Sequence, residues 1–192
     1  EGKDLAGLDL SQLAELDGVV AHQPFEHGLA VDTNAFAGLD VSGKAVLVHT
    51  GWDRFWRTEP YFENHPFLTE AAARLLIDRG AVLVGIDSYN IDDTRTRSRP
   101  IHTALLGADI PIIEHMTNLG ALPDMNFRFC AVPPKIKGFG TFPVRAFAVC
   151  AGGTRAEGRA ARPFPVRYGH LVLSACSWMF RPRSFMGFCR FS

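Results

Sequence analysis

His102 and Glu114 are the two residues of this sequence whose types and spacing best suit metal chemistry. They lie twelve positions apart in the stretch 99–115, which Pro100 and Pro111 interrupt. The prolines predict that His102 lies on the first turn of a short helix and Glu114 at the end of a short apolar strand. An imidazole and a carboxylate are ligands that zinc or manganese takes when bound water is activated. Two ligands are fewer than a catalytic zinc usually takes from protein, so the spacing alone favours a structural histidine and a surface glutamate.

The elements around this stretch predict an α/β domain. Residues 44–50 and 81–87 are apolar runs typical of strands buried on both faces, and residues 69–80 between them have the pattern of a capped amphipathic helix. A strand, a helix and a strand at this spacing favour parallel pairing. Asp87 then lies at the carboxyl end of a strand, where open α/β sheets present functional groups.

Other polar and aromatic residues are weaker candidates. Trp52 and Trp56 follow the strand 44–50, where they suit either ordinary packing or the wall of a cleft. His22 and His27 are five positions apart, which does not place both on one helical face and favours two loop histidines. The alternating charges of 91–99 indicate a polar surface loop.

Composition indicates one domain in a reducing compartment. The 192 residues are 47% hydrophobic, which suffices for one buried core. No apolar run approaches the roughly 20 residues needed to cross a bilayer. The four cysteines lack CxxC spacing, which favours a cytoplasmic location. The start has neither an initiator Met nor a signal sequence, so we expect a missing upstream segment.

The charge is divided unevenly along the chain. Residues 1–150 carry 13 Lys and Arg against 19 Asp and Glu, whereas residues 151–192 carry seven Arg and one acid, Glu157. This basic tail has no periodicity connecting it to the preceding sequence. We expect a disordered or artefactual extension over 150–192, for example from a shifted reading frame. Nucleic-acid binding by the tail is a weaker alternative.

Seven blocks in register resemble the cyclase family, which contains bacterial kynurenine formamidase. The resemblance spans about residues 1–149, and its blocks are residues 46–53, 65–73, 83–88, 100–107, 112–119, 127–129 and 143–146. It implies a single domain with the swivelling β/β/α fold. It also implies metal-dependent hydrolysis of an amide, with N-formylkynurenine of tryptophan catabolism or small cyclic amides such as isatin as substrates. Zinc, or alternatively manganese, and a homo-oligomer are implied as well.

The resemblance also identifies site residues. The family takes its metal ligands from an upstream His-x-Gly-Thr-His-x-Asp-x-Pro-x-His motif and from a later His and Glu, which match His102 and Glu114. The upstream motif is absent here, and with it the expected catalytic histidine, so we expect an N-terminally truncated domain. Trp52 is the candidate wall for an aryl substrate and Asp87 the candidate support of a ligand histidine. A catalytically incompetent fragment or non-catalytic binding subunit is the alternative.

Overall fold

A mixed nine-stranded sheet organises the chain. The computed structural model describes residues 3–150 and the backbone of residues 168–169 and 176–177. The strands are β1 (Leu16–His22), β2 (Ala30–Val31), β3 (Ala45–His49), β4 (Phe67–Leu68), β5 (Leu83–Ile86), β6 (Ile112–Ile113), β7 (Phe127–Cys130), β8 (Thr141–Phe142), β9 (Phe147–Cys150), β10 (Tyr168–Gly169) and β11 (Cys176–Ser177). The α-helices are α1 (Glu70–Asp78) and α2 (Pro100–Gly107). Short 3-10 helices occupy Leu5–Gly7, Leu10–Gln12, Phe25–His27, Thr33–Phe36, Trp52–Phe55, Glu59–Phe62 and Leu119–Ala121.

The centre of the sheet is parallel. The strand order is β10-β9-β7-β1-β3-β5-β6-β11-β8, and β1, β3, β5 and β6 run parallel to one another. β7 and β9 continue the sheet in antiparallel pairing, and β2 and β4 form a separate parallel pair. This arrangement confirms the predicted α/β class and the parallel pairing of β3 with β5.

Apolar side chains that point alternately to the two faces of the central strands form two apolar layers. In β3, Val46 and Val48 belong to the core cluster that holds α1 and α2, whereas Ala45 and Leu47 belong to the cluster on the opposite face. Successive side chains of a strand point to opposite faces, so a continuous apolar run is buried on both. The layers therefore hold the carboxyl ends of β1, β3, β5 and β6 at one edge of the sheet.

Helix α1 begins and ends as its sequence predicts. The hydroxyl of Thr69 accepts a hydrogen bond from the Ala72 amide at 3.1 Å, and Glu70 lies in the first turn. Gly80, with φ +75°, ends the segment in a left-handed conformation that glycine adopts without strain. Leu76 is fully buried, which fixes the helix against the sheet.

Gly18 of β1 faces the ring of Phe127 across the antiparallel pair with β7. A Cβ atom at Gly18 would lie 2.0 Å from Cε2 of Phe127. We expect Gly18→Ala to lower the free energy of unfolding by about 1–3 kcal/mol, because the ring must move within a packed core. Urea denaturation measures the effect. Gly107→Ala is the matched control, since no atom lies within 4 Å of its added Cβ, and equal stability of the two variants would contradict the expectation.

The C-terminal segment is described only in small part. The prediction of a disordered or artefactual tail over 150–192 lies outside the described residues, except for Cys150 at the end of β9 and the two short strands β10 and β11. The backbone of β10 pairs with β9, and that of β11 pairs with β6 and β8. Within the described residues, no helix has the length and apolar character needed to traverse a membrane.

Candidate metal centre

Polar groups terminate all four central parallel strands. His22 ends β1, His49 ends β3, Asp87 directly follows β5, and Glu114 directly follows β6. Because parallel strands present their carboxyl ends at the same edge, these four groups come from distant parts of the chain to one side of the molecule. This edge is where the candidate site lies.

The structure brings the two predicted ligands together. His102 lies in the first turn of α2, and its Nε2 atom is 3.5 Å from Oε1 of Glu114. Their exposed fractions are 2% and 4%. The predicted helix and strand positions are therefore confirmed, and the alternative of a surface glutamate is wrong. Their role as metal ligands stays a prediction.

Asp92 orients the His102 ring. One oxygen of this fully buried carboxylate is 2.5 Å from Nδ1 of His102, and the other accepts a hydrogen bond from the Ile101 amide at 2.7 Å. A carboxylate accepts hydrogen bonds, so Nδ1 of His102 carries the proton and Nε2 keeps its lone pair. The prediction that 91–99 is merely a polar surface loop is therefore wrong at Ile91 and Asp92, which are both fully buried.

The donor set suits a divalent metal. Nε2 of His102 is buried and makes no hydrogen bond within the described chain. Two ligands about 2.1 Å from a tetrahedral ion lie roughly 3.4 Å apart, close to the 3.5 Å between His102 and Glu114. Burial raises the pKa of the Glu114 carboxyl, and the nearby His102 and the Ile91 amide oppose the rise. A cation between the two groups would satisfy both.

Asp87 lies against the turn that follows β3. Its two oxygens accept hydrogen bonds from the amides of Thr50 and Gly51 and from the Thr50 hydroxyl, at 2.6–3.0 Å. Burial raises the pKa of Asp87 to about 6, although these hydrogen bonds oppose the rise. Asp92, rather than Asp87, contacts His102. Support of another ligand histidine by Asp87 stays a prediction.

A second group of possible metal ligands includes Asp87. One ring nitrogen of His49 and one carboxylate oxygen each of Asp53 and Asp87 lie within 4.8 Å of one another. Burial, followed by the charge of His22, lowers the pKa of His49. His22 is the last residue of β1 rather than a loop histidine, and its Nδ1 is 3.1 Å from Nδ1 of His49.

Aromatic rings surround His115, the residue that follows Glu114. The His115 ring lies 5.8 Å from Trp56 and 5.5 Å from Tyr89, and its Nδ1 is 3.1 Å from the hydroxyl of fully buried Tyr61. Burial lowers the pKa of His115 to about 4. Trp52 is 7% exposed and donates its indole N–H to the carbonyl of Tyr61. Its use as a substrate wall stays a prediction, and the half-buried Trp56 offers more accessible ring surface.

Comparisons with known proteins agree with this architecture. The family model described as "Putative cyclase" matches residues 8–93. An uncharacterised protein of Methanocaldococcus jannaschii is 32% identical over 108 residues, which are 54% of this chain and 53% of that protein. The chain thus spans about half the length of this curated relative.

Two solved structures share the fold. Isatin hydrolase A from Ralstonia solanacearum has a TM-score of 0.69 and 22% identity, covering 77% of this chain and 64% of that one. A structure described as a potential metal-dependent hydrolase with cyclase activity has a TM-score of 0.52 and 26% identity, covering 68% of this chain and 62% of that one. These likenesses confirm the predicted fold.

Proposed function

We propose that this chain is a member of the cyclase family and that it contributes His102 and Glu114 to the metal centre of an amide hydrolase. The observation that carries the proposal is the convergence of two buried donor groups, one of them an imidazole nitrogen without a hydrogen-bond partner in the described chain. Similarity to an isatin hydrolase and to a protein described as a potential metal-dependent hydrolase supports the reaction class. The proposed substrate is the aryl formamide N-formylkynurenine or another small amide, such as the cyclic amide isatin.

The residues of this chain have distinct roles in the proposed reaction. His102 and Glu114 would hold zinc or manganese, and Asp92 keeps Nε2 of His102 deprotonated and directed at the ion. When bound, the metal supplies Lewis-acid chemistry that activates water and polarises the amide carbonyl. The half-buried rings of Trp56 and Tyr89 beside His115 offer a face for the aryl group of the substrate.

Hydrolysis after metal removal and return tests this function. The protein is treated with a chelator, dialysed, and supplied separately with zinc and manganese. Absorbance then follows deformylation of N-formylkynurenine and ring opening of isatin. We expect at least one metal to raise turnover about tenfold or more above that of the chelated protein. If metal binds and neither substrate is cleaved above the buffer rate, the hydrolase proposal is overturned.

A non-catalytic binding role is the second candidate. It is favoured by the count of ligands at the His102 site, because two residues are fewer than the three that catalytic zinc usually takes from protein. Binding of N-formylkynurenine without turnover in the same assay would support this role. Self-association is proposed from the family resemblance, and light scattering of the purified chain tests it.

A further inference from the structure

The pairing of His22 with His49 fixes the proton positions on both rings. Nε2 of His22 is 3.0 Å from a carboxylate oxygen of Asp124, and the Nδ1 atoms of the two histidines are 3.1 Å apart. A carboxylate can only accept a hydrogen bond, so Nε2 of His22 carries a proton. When the His22 ring is neutral, its Nδ1 atom is therefore a hydrogen-bond acceptor. Nδ1 of His49 must then carry a proton and donate it in the hydrogen bond to Nδ1 of His22. The remaining nitrogen of His49, Nε2, is left with a lone pair.

Two carboxylates lie near this histidine in fixed positions. Asp87 is held by hydrogen bonds from Thr50 and Gly51, and Oδ2 of Asp53 accepts a hydrogen bond from the Asn118 amide at 2.7 Å. Their ligand atoms and that of His49 all lie within 4.8 Å of one another. Because each side chain is held by the surrounding backbone, the group does not have to be assembled from mobile surface side chains.

No cationic side chain of the described residues forms an ion pair with the two carboxylates of this group. Among residues 3–150, neither Asp53 nor Asp87 takes part in an ion pair, and nearby Arg54 is paired with Glu26 at 2.6 Å. Two carboxylates with a neutral imidazole therefore concentrate negative charge at a partly buried position. An ion with a double positive charge is the complement of such a group.

We propose that His49, Asp53 and Asp87 bind a divalent transition-metal ion at a site distinct from the His102–Glu114 pair. One imidazole nitrogen and two carboxylate oxygens form a mixed donor set that suits zinc, manganese or cobalt. Asp124 is not a ligand in this proposal. It accepts a hydrogen bond from His22 and thereby determines which nitrogen of His49 has a free lone pair. The site goes beyond the proposed hydrolase function, which requires only the His102 centre.

Manganese binding to variants of the whole chain tests this second site. Glu114→Gln provides the background, since it removes the charged ligand of the first site while leaving an oxygen that can accept from the Ile91 amide. In that background, titration followed by the paramagnetic resonance of free Mn²⁺ should still show one ion bound per chain. Adding Asp53→Asn should weaken its binding at least tenfold, although an oxygen remains for the Asn118 amide.

Two further variants separate ligation from a structural effect. Gly120→Ala places a methyl group 3.4 Å from Nε2 of His49, so it should weaken manganese binding without altering a ligand. Asp124→Ala removes the acceptor for Nε2 of His22, and it should weaken manganese binding about tenfold because His22 no longer fixes the proton position on His49. Circular dichroism checks folding.

The proposal is overturned if the Glu114→Gln protein binds no manganese, or if Asp53→Asn and Gly120→Ala leave its affinity for manganese unchanged. Neither outcome depends on hydrolysis, so failure here is distinct from failure of the proposed function.

Discussion

Replacing His102 with alanine is expected to lower metal-dependent turnover and zinc affinity by about 100-fold or more. Loss of a group that merely supports a metal ligand costs about 10–100-fold, so loss of the ligand should cost no less. Bound metal is measured by atomic emission after dialysis, and turnover on N-formylkynurenine is measured under saturating zinc. Glu114→Gln should act in the same direction, because it replaces an anionic oxygen ligand with a neutral one.

The matched control for this result is His27→Ala. His27 is an exposed histidine in the 3-10 helix Phe25–His27, and no hydrogen bond or ion pair within the described chain joins it to His102 or Glu114. Both variants remove one imidazole, so a shared non-specific effect on metal content would appear in both. Unchanged zinc content and turnover in the His102→Ala protein would show that His102 is not a ligand.

Asp92→Asn is expected to lower zinc affinity about 10–100-fold while the chain stays folded. The amide can still present an oxygen to the Ile101 N–H, but an NH₂ group facing Nδ1 of His102 favours the tautomer with the proton on Nε2. That proton would occupy the position needed for the metal. Calorimetric titration with zinc measures the loss, and the shape of the urea unfolding curve reports folding.

Asp93→Asn is the control for Asp92→Asn. Asp93 is the next residue along the chain, yet it pairs with Arg95 at the surface at 2.8 Å rather than with His102. Its replacement should leave zinc affinity unchanged, because exposed ion pairs contribute little. If the two variants lose zinc affinity equally, the orienting role of Asp92 is refuted.

Local signals predicted the elements that carry His102 and Glu114, whereas the family resemblance was needed to identify the two residues as candidate ligands. The two prolines confine both residues to short elements, and the apolar runs around them predict the parallel sheet that presents Glu114 at its carboxyl edge. Asp92 was missed because two adjacent acids in a charged loop look alike in sequence, although only one is fully buried. A weak signal existed: α2 starts after Arg99, which provides no capping side chain. Such a start requires an acceptor from elsewhere in the chain.

The His22–His49 pair could not be predicted because it depends on strand register. The two residues are 27 positions apart and meet only because β1 and β3 pair with His22 opposite His49. A shift of one residue in that register would turn His22 to the other face of the sheet. Spacing along the sequence carries no information about such a contact.

Helix α2 relies on Asp92 for its first backbone amides, and the same carboxylate holds the ring of His102. Release of Asp92 would therefore unwind the first turn of the helix and free the ring to rotate in a single event. The start of α2 and the orientation of His102 thus form one cooperative unit of local unfolding. A ligand that binds only the oriented ring would slow hydrogen exchange at the Ile101 amide. The exchange rate of this amide therefore reports whether the His102 centre is occupied.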